Sequence, residues 1–443
     1  MPEPVVRQIL HLTWPVLVAQ LAHISMAVTD TMLVGHFRTD DLAGLAIASG
    51  VHITTSLTLV GILQALSPTV AHLYGAGRLQ DIGGAVRQGV WLALLLGAAG
   101  FLLLRFPRPL VAWSAPNQAV EEIAVGYLQT TAWAVPAQML YRTFYALCAA
   151  VGRPRPIMLV SMLGAAIHVP LSYVLVYGKL GLPSLGAIGS GLSLVFVAWL
   201  WFSASIVYLA VNPFFRRLAL FSRWEPPQRR ALGELLRIGA PMGFSNLVEI
   251  SAFTLIALFV APLGADVAAG HRIAINIVST CYMISLALGY SLSVLVGQAA
   301  GARDFARARA TAAQGVALTA SVAAAVAALL ATFWSPLVGA YTNAPGVRAV
   351  ALSLVVYAVV MHFFDATQTA ASFCLRGYKV TFAPMLVHVA AFWGIGLAGG
   401  HWLAFDATPP MGVAGFWLSC VASLIAASAA VGGLLKMVSR NAP

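Results

Sequence analysis

The chain has 443 residues, of which 60% are hydrophobic and 9% charged, and its net charge is +11. Soluble domains carry about 25% charged residues, so a soluble globular protein is excluded, as are disordered, collagenous and disulfide-scaffold chains. A membrane-crossing helix needs about 20 apolar residues, and the length leaves room for about twelve with short connections. The expected fold class is therefore an all-α polytopic membrane protein.

In chain order, the long apolar runs place twelve spans near 10–34, 45–73, 88–106, 122–149, 157–177, 186–211, 234–262, 267–300, 311–335, 347–374, 381–404 and 411–436. Arg7 leads directly into the first span, and no cleavable leader is expected. The longest polar connection holds Arg216, Arg217, Arg223, Arg229 and Arg230 around Pro226-Pro227. It divides the chain into an N-terminal lobe of six spans (1–211), a cytoplasmic linker (212–233) and a C-terminal lobe of six spans (234–443).

Placing both termini and the even-numbered loops on one side gathers 18 of the 25 Lys and Arg residues there. The positive-inside rule puts that side in the cytoplasm, so a multi-pass protein of the inner membrane with cytoplasmic termini is expected. The basic excess then records topology, and no nucleic-acid partner is expected. Cys148, Cys281, Cys374 and Cys420 lie in apolar runs without a CxxC. They carry no metal or redox signature.

The halves repeat at an offset of 226 residues: Leu12-Thr-Trp-Pro15 aligns with Ile238-Gly-Ala-Pro241, Gly75-Ala76 with Gly301-Ala302, Gln88-Gly89 with Gln314-Gly315, and Gly186-Ala-Ile-Gly189 with Gly412-Val-Ala-Gly415. Six spans per repeat make these parallel repeats, a common design of secondary transporters.

Three of the 14 acidic residues, Asp30, Glu249 and Asp365, fall inside spans. A charged carboxylate at mid-helix costs about 2.5–3.5 kcal/mol on insertion scales, and its usual role is a cation or proton site. Glu249 follows Arg237 by twelve residues and Asp365 precedes Arg376 by eleven. At 1.5 Å per residue both lie about 17–18 Å from the cytoplasmic boundary, near the midplane. Such a pair can hold a proton or a monovalent cation, releasing one as it takes the other. Asp30 lies nearer the outer face. Arg142 and Arg272 are candidate partners for a buried acid. His23, His168, His362 and His388 also lie in or near spans. Gln20, Tyr173, Tyr282, Met283, Tyr357 and Met361 are candidates to line a cleft for flat lipophilic cations, through soft and cation–π contacts.

There is no GxxxxGK[ST] loop and the chain has three lysines, which argues against an ATP-driven pump. No HExxH or GxSxG motif appears, so no enzyme activity is expected. No cofactor is expected beyond a coupling ion, H+ or Na+. The expected partners are the lipid bilayer and small organic cations, with no obligate protein partner.

At Val28-Thr-Asp30-Thr-Met-Leu-Val-Gly35, Gly75-Ala-Gly-Arg78, Glu249 with Val260-Ala-Pro-Leu-Gly264, Gly297-Gln298-Ala-Ala-Gly-Ala-Arg-Asp304, and Asp365 with Leu375-Arg-Gly-Tyr-Lys379, the chain resembles NorM-type transporters of the MATE (multidrug and toxic compound extrusion) family. The resemblance spans essentially the whole chain. It implies twelve helices in two lobes and export of lipophilic, mostly cationic drugs by antiport with sodium or protons. It also implies a cation site at Glu249 and Asp365, with Na+ as the metal, and proton or substrate handling at Asp30. Where the family commonly shows Asn-x-Pro-x-Asn-Tyr, this chain has His168-Val-Pro170-Leu-Ser172-Tyr173, and a usual His-Gln pair is His271-Arg272. Exchanging neutral oxygen ligands for an imidazole and a guanidinium weakens a sodium site. Two alternatives share the transporter architecture. A major-facilitator transporter would carry a basic Asp-Arg motif between spans 2 and 3, which reads Gly75-Ala-Gly-Arg-Leu-Gln-Asp-Ile-Gly83-Gly84 here. A lipid-linked precursor flippase of the same superfamily would line its cleft with arginines rather than acids.

Overall fold

The computed structural model describes residues 4–112, 117–222 and 225–441, so Arg223 of the polar connection lies outside the described residues. The described chain is helical almost throughout. The helices are α1 (Val5–Gly35), α2 (Thr39–Leu63), α3 (Leu66–Gly75), α4 (Leu79–Arg105), α5 (Arg108–Val111), α6 (Gln118–Thr131), α7 (Ala134–Ala150), α8 (Arg155–Tyr177) and α9 (Ala187–Val211). They continue with α10 (Pro213–Arg216), α11 (Arg229–Val260), α12 (Ala265–Gly301), α13 (Phe305–Tyr341), α14 (Pro345–Ser353), α15 (Val355–Gly377), α16 (Phe382–His388), α17 (Gly399–His401) and α18 (Val413–Asn441). Wider π-type turns at Val389–Ala398 and Trp402–Asp406 carry α16 on through α17.

Local chemistry sets the ends of several helices. The Asn117 side chain accepts a hydrogen bond from the Val120 amide at the start of α6, and Asp304 accepts from the Arg307 amide at the start of α13. Each thereby satisfies an amide left open in the first turn. The internal repeat is visible in the backbone. Gly77 and Arg303, 226 positions apart, both turn at positive φ (71° and 59°), as do Gly186 and Gly412 (55° and 56°).

Ten helical segments among the described residues are long and apolar enough to cross a membrane, and the bent pair α14 and α15, at 46°, makes an eleventh. The span expected at 122–149 is helical, as α6 and α7, but is not among them. Gln129, Thr130, Thr131, Gln138 and Arg142 dilute its apolar character. Its second half is buried without a break from Thr143 to Val151, so protein rather than lipid surrounds that stretch and polar residues are tolerated.

The chain divides into two compact units, and the divisions fall inside helices rather than in the 212–233 connection. One unit holds Trp14–Gly243. The other holds the described residues up to Thr13 together with those from Phe244 onward. The packing gives the reason. The Thr13 hydroxyl meets that of Ser291 at 3.0 Å within the second unit. The residue 226 positions later, Gly239, lies so close to α2 in the first unit that a Cβ there would reach the Ile62 carbonyl.

The described residues of the 212–233 connection are docked on the first unit rather than free. Phe215, Leu218 and Leu220 are buried. Arg87 on α4 donates to the carbonyls of Ala219 (2.6 Å) and Leu220 (3.2 Å) and to Glu225 (2.9 Å), while Gln88 bonds the backbone of Pro226 and Gln228. Many large apolar residues point outward, among them Leu102, Leu103, Trp199, Phe196, Leu329 and Phe333, as lipid-facing helices require.

Candidate functional site

In the unit holding Trp14–Gly243, α1 carries Asp30 and α8 carries His168 and Ser172, four residues apart on one face. The Asp30 Oδ1 atom accepts two hydrogen bonds, from His168 Nε2 at 2.9 Å and from the Ser172 hydroxyl at 2.8 Å. The other imidazole nitrogen, Nδ1, lies 3.0 Å from the hydroxyl of Ser193 on α9, which also reaches the His168 carbonyl at 3.3 Å. His168, Ser172 and Ser193 are fully buried and Asp30 nearly so. The ring of Tyr127, on α6, is also buried and lies within electrostatic reach of Asp30. The expected arginine partner is not used here: the Arg142 guanidinium rests over the Tyr145 ring at 5.1 Å. Two turns before Asp30, His23 meets Ser161 at 3.4 Å and the Trp201 ring at 4.6 Å between centroids.

In the other unit, α15 is surrounded by α12, α13 and α18 and carries Asp365. Glu249, on α11, and Asp365 lie within electrostatic reach of each other, and Arg376 bears on Glu249 with the opposite sign. The Asp365 Oδ1 atom accepts from Gln368 Nε2 at 3.2 Å. The same amide nitrogen donates to Thr369 Oγ1 at 3.2 Å, and the Thr369 hydroxyl donates to Tyr282 at 3.3 Å. On its far side, Gln368 Oε1 lies 3.2 Å from His388 Nε2 and 3.4 Å from the Ser372 hydroxyl. Among the described residues no group of three or more His, Cys, Asp and Glu could hold a metal ion. A sodium ion would therefore have to draw on the two carboxylates and on neutral oxygens such as those of Tyr282 and Thr369.

The two clusters contain Asp30, His168 and Ser172, and Glu249, Asp365 and Tyr282, from the residues that stand out in the sequence. The other candidates take varied places. Met361 is buried in the apolar core with Trp334, Phe392 and Trp417, and Tyr357 packs against that core. Tyr173 is exposed and its ring lies tilted against that of Tyr177, 5.1 Å between ring centroids. Gln20 and Met283 are half-buried and Arg272 is exposed. Gln368, Thr369, Ser372 and Ser193 escape a reading of the sequence, since neutral polar residues in a span carry no signal of their own. Arg376, which the sequence places among the loop cations, is buried, with its guanidinium 4.1 Å over the Phe373 ring.

A family model described as MatE matches residues 15–174 and 241–402. The chain is 49% identical over 439 residues to a probable multidrug resistance protein NorM of Aromatoleum aromaticum, a match that covers 98% of this chain and 94% of the relative. It is 38% identical over 437 residues to a probable multidrug resistance protein NorM of Neisseria meningitidis serogroup B, covering 98% of this chain and 95% of the relative. Among solved structures, the MATE transporter NorM-NG, in complex with a ligand and a monobody, superposes with a TM-score of 0.83 at 34% identity, covering 97% of this chain and 94% of that one.

Proposed function

The chain belongs to the MatE family of multi-pass membrane transporters, relatives of multidrug resistance proteins rather than enzymes, and from that premise we propose that it is a cation-coupled antiporter. It exports lipophilic, mostly cationic drugs across the inner membrane by alternating access, with twelve spans and cytoplasmic termini, in exchange for H+ and/or Na+. The observation that carries this reading is the pair of separate acid clusters, Asp30 with His168 and Ser172, and Glu249 with Asp365.

The clusters differ in what they offer an incoming ion. Both hydrogen bonds to Asp30 Oδ1 come from donors, an imidazole N–H and a hydroxyl. An N–H cannot ligate a metal cation. The site therefore suits a proton, which neutralises the carboxylate without displacing ligands. The Glu249 and Asp365 pair has two carboxylates and one nearby guanidinium, so taking up one H+ or Na+ removes repulsion between the acids. Coupling follows if the ion binds one conformational state more tightly than the other. Lipophilic cations would compete for the same negative charge, so ion and drug exclude each other. The acid-lined clusters and the relatives named as multidrug resistance proteins do not favour the flippase or major-facilitator alternatives.

The test is efflux of tetraphenylphosphonium from proteoliposomes, with a sodium or a pH gradient imposed separately at fixed membrane potential. Stimulation by either gradient supports the reading and identifies the ion. If neither gradient moves the cation, the antiporter assignment fails.

A further inference from the structure

After Val211, α9 passes at once into the single turn of α10, and the join is a built one. The Asn212 side chain accepts from the Phe214 amide at 3.0 Å and donates to the Tyr208 hydroxyl at 3.0 Å. Phe215 is buried edge-on to Tyr208, 5.8 Å between ring centroids, and Phe214 stands perpendicular to Phe215 at 5.2 Å. From the turn between α7 and α8, the Arg153 guanidinium rests on the Phe214 ring, 3.9 Å from its centroid. Arg217 lies one turn past Phe214 on the same side of α10, with Arg216 beside it. Arg155 is the first residue of α8, where the positive end of the helix adds to these charges instead of balancing them. All four arginines are exposed, and all belong to the unit holding Trp14–Gly243.

Like charges at one turn repel, and nothing among the described residues offsets these. The acids of neighbouring segments are committed elsewhere: Asp81 pairs with Arg78 at 2.7 Å, Glu225 with Arg87 at 2.9 Å and Glu234 with Arg230 at 3.6 Å. Among the described residues none of the four arginines is paired with an acid. The adjoining surface is apolar. Along α9, Leu192, Phe196, Trp199, Val207 and Val211 recur at helical spacing and are all exposed, and the two nearest the arginines, Val207 and Val211, are 62% and 66% exposed. Acyl chains must cover such a face, and it runs straight into the guanidiniums.

We propose that Arg153, Arg155, Arg216 and Arg217 form a binding site for an anionic phospholipid. Its phosphate meets the guanidiniums, and its acyl chains lie along Val207 and Val211. A guanidinium presents a planar fork of N–H donors that fits phosphate oxygens in pairs. The Phe214 ring covers one face of Arg153 and leaves the edge, which carries those N–H groups, to the phosphate. The apolar stripe that ends at the cluster selects a lipid over a free anion. A zwitterionic headgroup brings its own ammonium and gains less from four cations. In the proposed orientation the site lies in the cytoplasmic leaflet. The inference is independent of the coupling ion and of the drug.

The experiment titrates the full chain, in detergent micelles, separately with phosphatidylglycerol, phosphatidylcholine and glycerol phosphate. Native mass spectrometry reads the bound fraction, and hydrogen exchange reads which backbone is protected. Wild type should bind phosphatidylglycerol about fivefold or more tighter than either of the others, with protection at residues 213–217. Arg153→Gln and Arg217→Gln should each weaken that binding about fivefold, and the double variant should weaken it more than either. Arg153→Lys keeps the charge but loses the fork, so it should fall between wild type and Arg153→Gln. Arg303→Gln removes an exposed cation from the other unit and should leave binding within about twofold of wild type. Equal affinity for phosphatidylglycerol and phosphatidylcholine overturns the proposal. So does an equal loss in Arg303→Gln and Arg217→Gln, which is the mark of general charge attraction. Glycerol phosphate binding as tightly as phosphatidylglycerol would make this a free-anion site and overturn the lipid. Protection by phosphatidylglycerol confined to segments away from 213–217 would overturn the location, even if the exposed-site variants melted differently from wild type.

Discussion

Breaking the Asp30 cluster one contact at a time tests whether its geometry has energetic content. Hydrogen bonds to charged groups contribute about 1.5–3 kcal/mol, against about 1 kcal/mol for neutral ones. Asp30 Oδ1 accepts one from His168 at 2.9 Å and one from Ser172 at 2.8 Å, while Ser193 meets the far side of the imidazole and makes no bond to Asp30. His168→Phe and Ser172→Ala should therefore each destabilise the protein by about 1.5–3 kcal/mol, and Ser193→Ala by about 1 kcal/mol. Ser193 has a second acceptor, the His168 carbonyl at 3.3 Å, so in His168→Phe its hydroxyl is not stranded. The cleanest number is the interaction energy between positions 30 and 168, from equilibrium unfolding in detergent micelles of wild type, Asp30→Asn, His168→Phe and the double variant. An interaction of about 1.5–3 kcal/mol is expected, well above the roughly 0.5 kcal/mol within which independent sites add. A value inside that limit would refute the argument that His168 and Asp30 act as one buried unit.

Further outcomes follow from other contacts. Asp365→Asn and Glu249→Gln should abolish ion-driven efflux while leaving expression and membrane insertion intact; wild-type export by both would remove the second cluster from the mechanism. Gly164→Ala should destabilise by about 1–3 kcal/mol through overpacking, because its Cβ would overlap Trp201 Nε1; a melting temperature equal to wild type would contradict that packing. Arg87→Ala removes the side chain that holds Ala219, Leu220 and Glu225. Limited proteolysis should then cut the 212–228 connection at least several-fold faster, and an unchanged cleavage rate would show that its docking does not depend on Arg87.

The three acids are legible from the sequence because a charge inside an apolar span is costly enough to need a reason. His168 and Ser172 are legible as a departure from a motif, but not as donors to Asp30, since that pairing joins residues 138 and 142 positions apart. Gln368, Ser372 and His388 are harder. Each alone is an ordinary polar residue in a helix, and only the packing of the segment from 382 onward against α15 makes them a series. Met361 shares a helix face with Asp365 by spacing, but that spacing does not reveal the apolar core packed on its side of α15. Arg376 reads as a loop cation because it ends a span; its guanidinium instead turns back over Phe373. The span expected at 122–149 shows the converse limit: it is helical as α6 and α7, but its second half, surrounded by protein, is less apolar than the helices long and apolar enough to cross a membrane. The repeat is legible throughout, down to the paired left-handed turns at Gly77 and Arg303.

If the protein is an antiporter, ion and drug move in opposite directions through the two acid clusters. The direct measurement is ion movement driven by drug: proteoliposomes loaded with buffer receive an outward or inward tetraphenylphosphonium gradient at clamped potential, and internal pH and sodium are followed together. The wild-type protein should move H+ or Na+ against the drug gradient, and Asp365→Asn should not. Drug movement with no accompanying ion flux in the wild-type protein, or equal ion flux in Asp365→Asn, would contradict that expectation.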